Sequence, residues 1–137
     1  MNKQGKCPVV QGQDYEVSIT DLGIHGEGIG KVNGFTVFIP GALPGERAEV
    51  RIIRVKKSYA TGKLVTLKET TPHRVKPECP VYDQCGGCQI SHISYEEQLA
   101  IKHHSVVSVI ERIAGEDGSL VEPVIPAAHP FGYRNKM

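Results

Sequence analysis

The chain has 137 residues, 39% of them hydrophobic, and a formal net charge of +1. That length holds one ordinary domain or two very small ones, with enough apolar material for a core. No apolar run reaches the roughly 18 residues of a membrane-spanning helix, and "MNKQGKCPVVQGQDY" lacks the apolar stretch of a secretory signal, so the expected compartment is the cytoplasm, where thiols stay reduced.

The small net charge hides an asymmetry. Residues 1–76 carry 12 Lys and Arg against 7 Asp and Glu, whereas residues 77–137 carry 4 against 8. Within 51–76 stand Arg51, Arg54, Lys56, Lys57, Lys63, Lys68, Arg74 and Lys76, with Glu69 as the one acid. Such a concentration suits a polyanion, although a charge run by itself is more often a solvated strand face.

From the N-terminus, Tyr15, Val17 and Ile19 alternate with polar residues as in a half-buried strand. In "GEGIGKVNGFTVFIPG" a strand over Gly28–Val32 and another over Phe35–Ile39 flank Asn33-Gly34, a pair suited to a type I′ hairpin turn. "PGALPGE" is dense in turn residues. In "RAEVRIIRVKK" the apolar alternation Ala48, Val50, Ile52 slips one place to Ile53 and Val55, which predicts a β-bulge. "ATGKLVTLKET" supplies a fifth strand. Five short antiparallel strands in so short a span predict a small closed barrel of the OB type over residues 10–71.

The Pro-rich, basic segment 72–78 reads as a linker. After the cysteine-containing segment, a helix is predicted near 94–114. Ser94 and Glu97 form a capping box at its start, Leu99, Val106, Ile110 and Ile113 form an apolar stripe expected to pack in a core, and Gly115 is a stop. A short strand is expected near Leu120–Ile125. The expected fold class is thus mainly β plus α: a five-stranded OB-like barrel, a cysteine loop, one amphipathic helix and the start of an α+β unit over 79–137.

Three motifs carry chemistry. "DLGIHGEGIG" has the glycine content of a nucleotide- or S-adenosylmethionine-binding loop, but such a loop needs a helix directly after it. Here hairpin and strand come next, so the glycines read as a barrel turn. In the basic run, Arg54, Lys56, Lys57, Tyr59 and Lys63 cluster about one strand-to-strand connection. OB-like barrels bind single-stranded nucleic acid with a positive groove and stacking rings, so these five residues are the candidate RNA contacts. Phe35 and Phe38 fall on opposite faces of a regular strand, leaving at most one of them to stack on a base.

The strongest signal is "CPVYDQCGGCQISH". Cys79, Cys85 and Cys88 are spaced C-x5-C-x2-C, with Gly86-Gly87 able to fold the backbone around an ion. Three clustered thiolates suit zinc or an iron–sulfur cluster. The fourth ligand is open. It is His92, which would complete a Cys3His zinc site, or a cysteine elsewhere; Cys7 lies far upstream across the barrel. A catalytic thiol lacks a positioned base.

"GEGIGKVNGFTVFIPGALPGE", then "CPVYDQCGGCQ" with the following His92, Tyr95, Gln98-Leu99 and Lys102, then the spaced prolines before "GYRNK", together resemble the N-terminal part of TRAM-domain 23S rRNA (uracil-5-)-methyltransferases, from about residue 12 to the end. The resemblance implies that the barrel is an RNA-binding TRAM domain. It also implies that Cys79, Cys85 and Cys88 are three ligands of a [4Fe–4S] cluster, with the fourth downstream of residue 137. His92 matches a histidine that is not a ligand in that family; Ser91 departs from the usual glutamine. By the same resemblance the whole enzyme uses S-adenosylmethionine: a thiolate adds to uracil C6, C5 takes the methyl group and elimination follows, the base having been flipped out of its RNA. The domain that does this chemistry is absent from these 137 residues, so no catalytic residue is expected here and the segment alone is expected to be inactive. The implied setting is a cytoplasmic, monomeric protein with RNA, 23S rRNA in particular, as partner and no membrane. Two alternatives remain at this point. One is a free-standing RNA-binding module with zinc on Cys79, Cys85, Cys88 and His92. The other is a radical methylthiotransferase, against which the C-x5-C spacing and the barrel-first order both argue.

Overall fold

The computed structural model describes residues 7–135. The chain forms two compact units, Met1–His92 and Ile93–Met137.

The first unit is built on a closed barrel of five strands: β1 (Asp14–Leu22), β2 (Gly28–Val32), β3 (Phe35–Ile39), β4 (Arg47–Val55) and β5 (Tyr59–Glu69), in the order β1-β2-β3-β5-β4. β1 serves two neighbours. Asp14–Ser18 pair with β4, and after a register shift between Ile19 and Asp21 the strand turns to pair with β2. Four of the pairings are antiparallel. The closure departs from a wholly antiparallel expectation, because β3 and β5 run parallel over Thr36↔Tyr59, Val37↔Ala60 and Phe38↔Thr61. A chain that enters β5 from the β4 hairpin already points the way β3 does, so only a parallel pair can close the cylinder.

Alternation sends one face of each strand inward. Val17, Ile19, Val37, Ile39, Ala48, Val50, Ile52 and Ala60 are buried in a single cluster. The type I′ turn is present, with φ of 49° at Asn33 and 82° at Gly34. The bulge in β4 also forms, as a shift between Ile52 and Arg54. Val55 returns to the core side while Ile53, expected inside, stays 49% exposed. The glycines of "GEGIG" turn out to be packing residues. Gly28 and Gly30 face inward, where a Cβ at Gly28 would come within 2.6 Å of the Ala42 carbonyl oxygen and one at Gly30 would overlap Val17. No helix follows them, in keeping with a barrel turn.

One buried charge organises the segment after the barrel. Glu46, 1% exposed, sits in the turn between β3 and β4. Its Oε1 accepts from the Leu43 N–H at 2.8 Å and from Arg74 Nη2 at 2.7 Å, and its Oε2 accepts from Arg74 Nε at 2.8 Å and the Thr71 N–H at 3.4 Å. Arg74 Nη2 also donates to the Gly41 carbonyl. The segment read as a linker is therefore pinned to the barrel.

In the second unit, helix α2 (Tyr95–Val109) continues into a π-helical turn at Ile110–Ala114. Ser94 Oγ accepts from the Glu97 N–H at 3.4 Å and Gly115 closes the end with φ of 68°, as the capping signals predicted. The expectation of a packed stripe fails: within α2 only Gln98 is buried, and Val106 and Ile113 are 50% and 80% exposed. The strand expected near Leu120–Ile125 does not form either. A 3-10 turn at Gly118–Leu120 stands there, followed by irregular backbone with Leu120 and Ile125 exposed. Pro123 and Pro126 remove two backbone donors, and among the described residues of this unit no neighbouring strand exists to pair with. Without a sheet, nothing in the unit covers the stripe. The "YRNK" segment is irregular up to Asn135, beyond which lie residues outside those described.

Breaking a buried ion pair by removing one partner costs about 3–5 kcal/mol. Glu46→Ala should therefore lower the urea midpoint of the 137-residue chain by far more than Asp14→Ala at the exposed Arg51 pair. Burial alone would raise the Glu46 pKa, but Arg74 and the Leu43 and Thr71 amides outweigh it and hold the carboxyl below its ordinary 4.5. A carboxylate depressed in the folded state stabilises above that ordinary value and loses the contribution as pH falls through the lowered one. Thermal melts of the wild type should show this acid limb, and Glu46→Gln should flatten it.

Candidate nucleic-acid interface and cysteine loop

The outward residues of β4, β5 and their hairpin carry the positive charge. Lys56 donates its backbone N–H to the Tyr59 carbonyl at 2.7 Å, closing the hairpin that presents Lys56 and Lys57. Arg54 lies across from Thr61 and Lys63 across from Arg51. Not every cation is available. Arg51 is held by Asp14 at 2.8 and 3.2 Å, Arg47 by Glu16 and Glu69 at 2.9 Å each, and Arg74 by Glu46. Arg54, Lys56, Lys57 and Lys63 carry no ion pair among the described residues. The four cations of the sequence-predicted set thus fall within the unneutralised part of the basic run, which also includes Lys68 and Lys76.

Tyr59 makes an edge-to-face pair with Phe38, with centroids 5.4 Å apart and planes at 85°. Phe35 packs against the core instead, so one of the two phenylalanines is left outside, as expected. Sequence reasoning missed Phe38's partner and also Lys31. The β2–β3–β5 register sets Lys31, Thr36 and Tyr59 in one outward row, and Ile29, Phe38, Thr61 and Arg54 in the next. Only the strand order reveals these rows.

A groove of about 670 Å³ opens between the β1–β2 turn, the β4–β5 surface and the cysteine loop. His25–Glu27, Ile53, Lys63, Tyr82, Cys88 and Gln89 are among the residues that line it. The loop itself is ordered by local bonds. Cys85 donates its N–H to the Val81 carbonyl at 2.9 Å, giving the single helical turn α1 (Tyr82–Cys85), which Gly86 ends with φ of 67°. Tyr82 Oη donates to the Gln89 carbonyl at 3.2 Å and lies 2.8 Å from His92 Nδ1. Val75 donates its N–H to the His92 carbonyl at 2.9 Å, which ties the loop's far end to the segment held by Glu46.

Cys79, Cys85 and Cys88 are all exposed and none is in a disulfide; Cys7 is likewise free and exposed. Their donor chemistry suits a soft metal or cluster. Among the described residues, however, no three His, Cys, Asp or Glu side chains converge on one point, so binding would require the loop to close around the ion. His92, weighed above as the fourth ligand of a zinc site, is engaged elsewhere. It is 4% exposed, its Nδ1 is engaged by Tyr82, and its Nε2 is buried without a partner among the described residues. Burial and the nearby Arg74 guanidinium push its pKa below the ordinary 6.5 despite the opposing Glu46 charge.

The closed five-stranded barrel with its charged hairpin has the architecture of a small OB-like module. The TRAM domain family matches residues 8–65. The chain is 46% identical over 130 residues, 95% of its length, to an "Uncharacterized RNA methyltransferase" of Clostridium tetani, and 48% identical over 126 residues, 92% of its length, to another of Nostoc sp.. Pyrococcus abyssi tRNA (uracil-54, C5)-methyltransferase, solved with S-adenosyl-L-homocysteine, superposes with a TM-score of 0.50 at 29% identity, over 74% of this chain and 22% of that one. The chain belongs to the TRAM-containing RNA methyltransferase family. It spans 28% and 27% of the length of the two curated relatives. Among the described residues no helix is long and apolar enough to cross a membrane.

A buried neutral histidine with a lowered pKa binds fewer protons than the unfolded chain once pH drops below 6.5. Stability should therefore fall from about that ordinary value downward, a limb distinct from that of Glu46. His92→Gln should abolish the upper limb in a pH series of thermal melts.

Proposed function

We propose that this chain is the RNA-gripping portion of an S-adenosylmethionine-dependent RNA (uracil-5-)-methyltransferase. The observation that carries the reading is the set of four unneutralised cations, Arg54, Lys56, Lys57 and Lys63, on a barrel that matches the TRAM domain. Acidic partners neutralise the neighbouring Arg47 and Arg51 and leave these four free, as contacts to phosphates require. The uracil-5 specificity and the use of S-adenosylmethionine are supported by the likeness to the Pyrococcus abyssi enzyme. 23S rRNA as the target rests on the motif resemblance, and the cytoplasm and a monomeric state go with it. No catalytic role is assigned to a residue of this chain.

Cys79, Cys85 and Cys88 are assigned as three ligands of a [4Fe–4S] cluster, held with one further thiolate from outside this segment. When bound, such a cluster would supply a structural node, since methyl transfer has no redox step. The chain's own part is to present three exposed thiols on a loop whose ends Tyr82 and Val75 secure. The runner-up, a Cys3His zinc module, is disfavoured by the engagement of His92 with Tyr82.

Lys56→Glu with Lys57→Glu should weaken RNA binding across sequences. It should also reduce the slope of log Kd against log salt by about one per lysine removed. Unchanged affinity would remove the hairpin from the interface. For the loop, anaerobic reconstitution with iron and sulfide should give a brown protein that loses its colour and iron in Cys85→Ser. A colourless protein holding stoichiometric zinc, released by His92→Ala, would overturn the cluster assignment.

A further inference from the structure

The barrel's outer surface is not uniformly charged, and its aromatic part is continuous with its groove. Tyr59, Thr61 and Lys63 alternate outward along β5 while Ala60 and Gly62 point inward. Phe38 of β3 flanks Tyr59 edge-to-face on one side, and Arg54 of β4 sits across from Thr61 on the other. Lys63 then forms part of the groove wall, with Ile53 beside it and Cys88 among the residues of the cysteine loop. From Tyr59 to Lys63 the strand advances about 13 Å, at about 3.3 Å per residue. Rings thus begin the path, an unpaired guanidinium accompanies it, and a lysine stands where it enters the cleft.

We propose that this path is a track for single-stranded RNA along β5: an unpaired base stacks on the Tyr59–Phe38 ring pair, Arg54 and Lys63 meet successive phosphates, and the strand enters the groove walled by the cysteine loop. The proposal rests on the RNA-binding reading and narrows it to unpaired RNA. The physical ground is the ring pair. Tyr59 is 38% exposed on a surface whose purpose in the fold is already met by the core beneath it. Its edge-to-face partner fixes the ring's orientation, so little rotamer freedom is lost when a base lands on it. In a duplex the base faces are stacked on one another and unavailable; an unpaired strand exposes them. The inward Gly62 contributes indirectly. A Cβ there would overlap Val50, so glycine keeps β5 close to β4, with Thr61 and Lys63 on the same outward face as Tyr59.

The test uses the 137-residue chain and a labelled RNA of about 12 nucleotides, within the site size of one OB fold, free and annealed to its complement. The single strand should bind more tightly than the duplex. Tyr59→Ala should weaken single-strand binding about tenfold with an unchanged salt slope, because stacking releases no counterions, whereas Tyr59→Phe should stay within about twofold. Lys63→Gln should lower the salt slope instead. Thermal melts of each variant establish that it is folded, which the exposure of Tyr59 and Lys63 favours. Equal affinity for duplex and single strand, or indifference to Tyr59→Ala, would overturn the track while leaving the phosphate-binding cations in place. Failure to bind either RNA would overturn the RNA-binding reading, and the track with it.

Discussion

A single carboxylate in the turn before β4 governs how much of this chain belongs to the barrel. Glu46 is buried, and a buried charge is tolerated only when it is paired and its remaining lone pairs are bonded. Two backbone amides and the fork of Arg74 meet that demand. Because Arg74 lies 28 residues downstream, satisfying Glu46 draws in the whole segment after β5. The Val75–His92 bond and the His92–Tyr82 contact then carry the constraint to the cysteine loop. The compact unit consequently ends at His92 and not at the end of β5.

That coupling gives the cysteine loop its functional setting. By its spacing alone, C-x5-C-x2-C is a local run of three thiols. Anchored at Tyr82 and His92, it becomes one wall of a groove whose other walls are barrel residues, Lys63 and Ile53 among them. Two features that read as separate in the sequence, the basic run and the cysteine segment, therefore reach the same cleft through Lys63 and Cys88. The exposure of all three thiols is consistent with a loop able to close around an ion.

The distribution of charge has a similar logic. Alternation in the strands leaves every second residue outside, and several of those are cationic. Local acids decide which cations remain free. Arg47 and Arg51 meet Glu16, Glu69 and Asp14 because β1 and β5 flank β4. Arg54 and the hairpin lysines lie past the end of that acidic border. The second unit is different in character: its helix is well capped, yet its apolar residues remain open because the proline-rich chain beyond it builds no sheet among the described residues.

Much of the barrel was legible in the residues themselves. The hairpin at Asn33-Gly34, the slip in β4 and the capping of α2 all depend on short-range patterns, and short-range patterns are written in adjacent residues. Where the sequence misled, distant partners were decisive. Leu120–Ile125 has the composition of a strand but no neighbour, and a lone strand cannot satisfy its backbone. The burial of His92 against Tyr82 is likewise invisible in its spacing from the cysteines. Sequence by itself determined which residues could form strands, turns, caps and thiolate donors, because those depend on each residue's own stereochemistry and charge. Tertiary structure alone decided the parallel closure by β3 and β5, the meeting of Phe38 with Tyr59, and the burial of Glu46 against Arg74. Each of these joins groups far apart along the chain, and only the folded backbone brings them within contact distance.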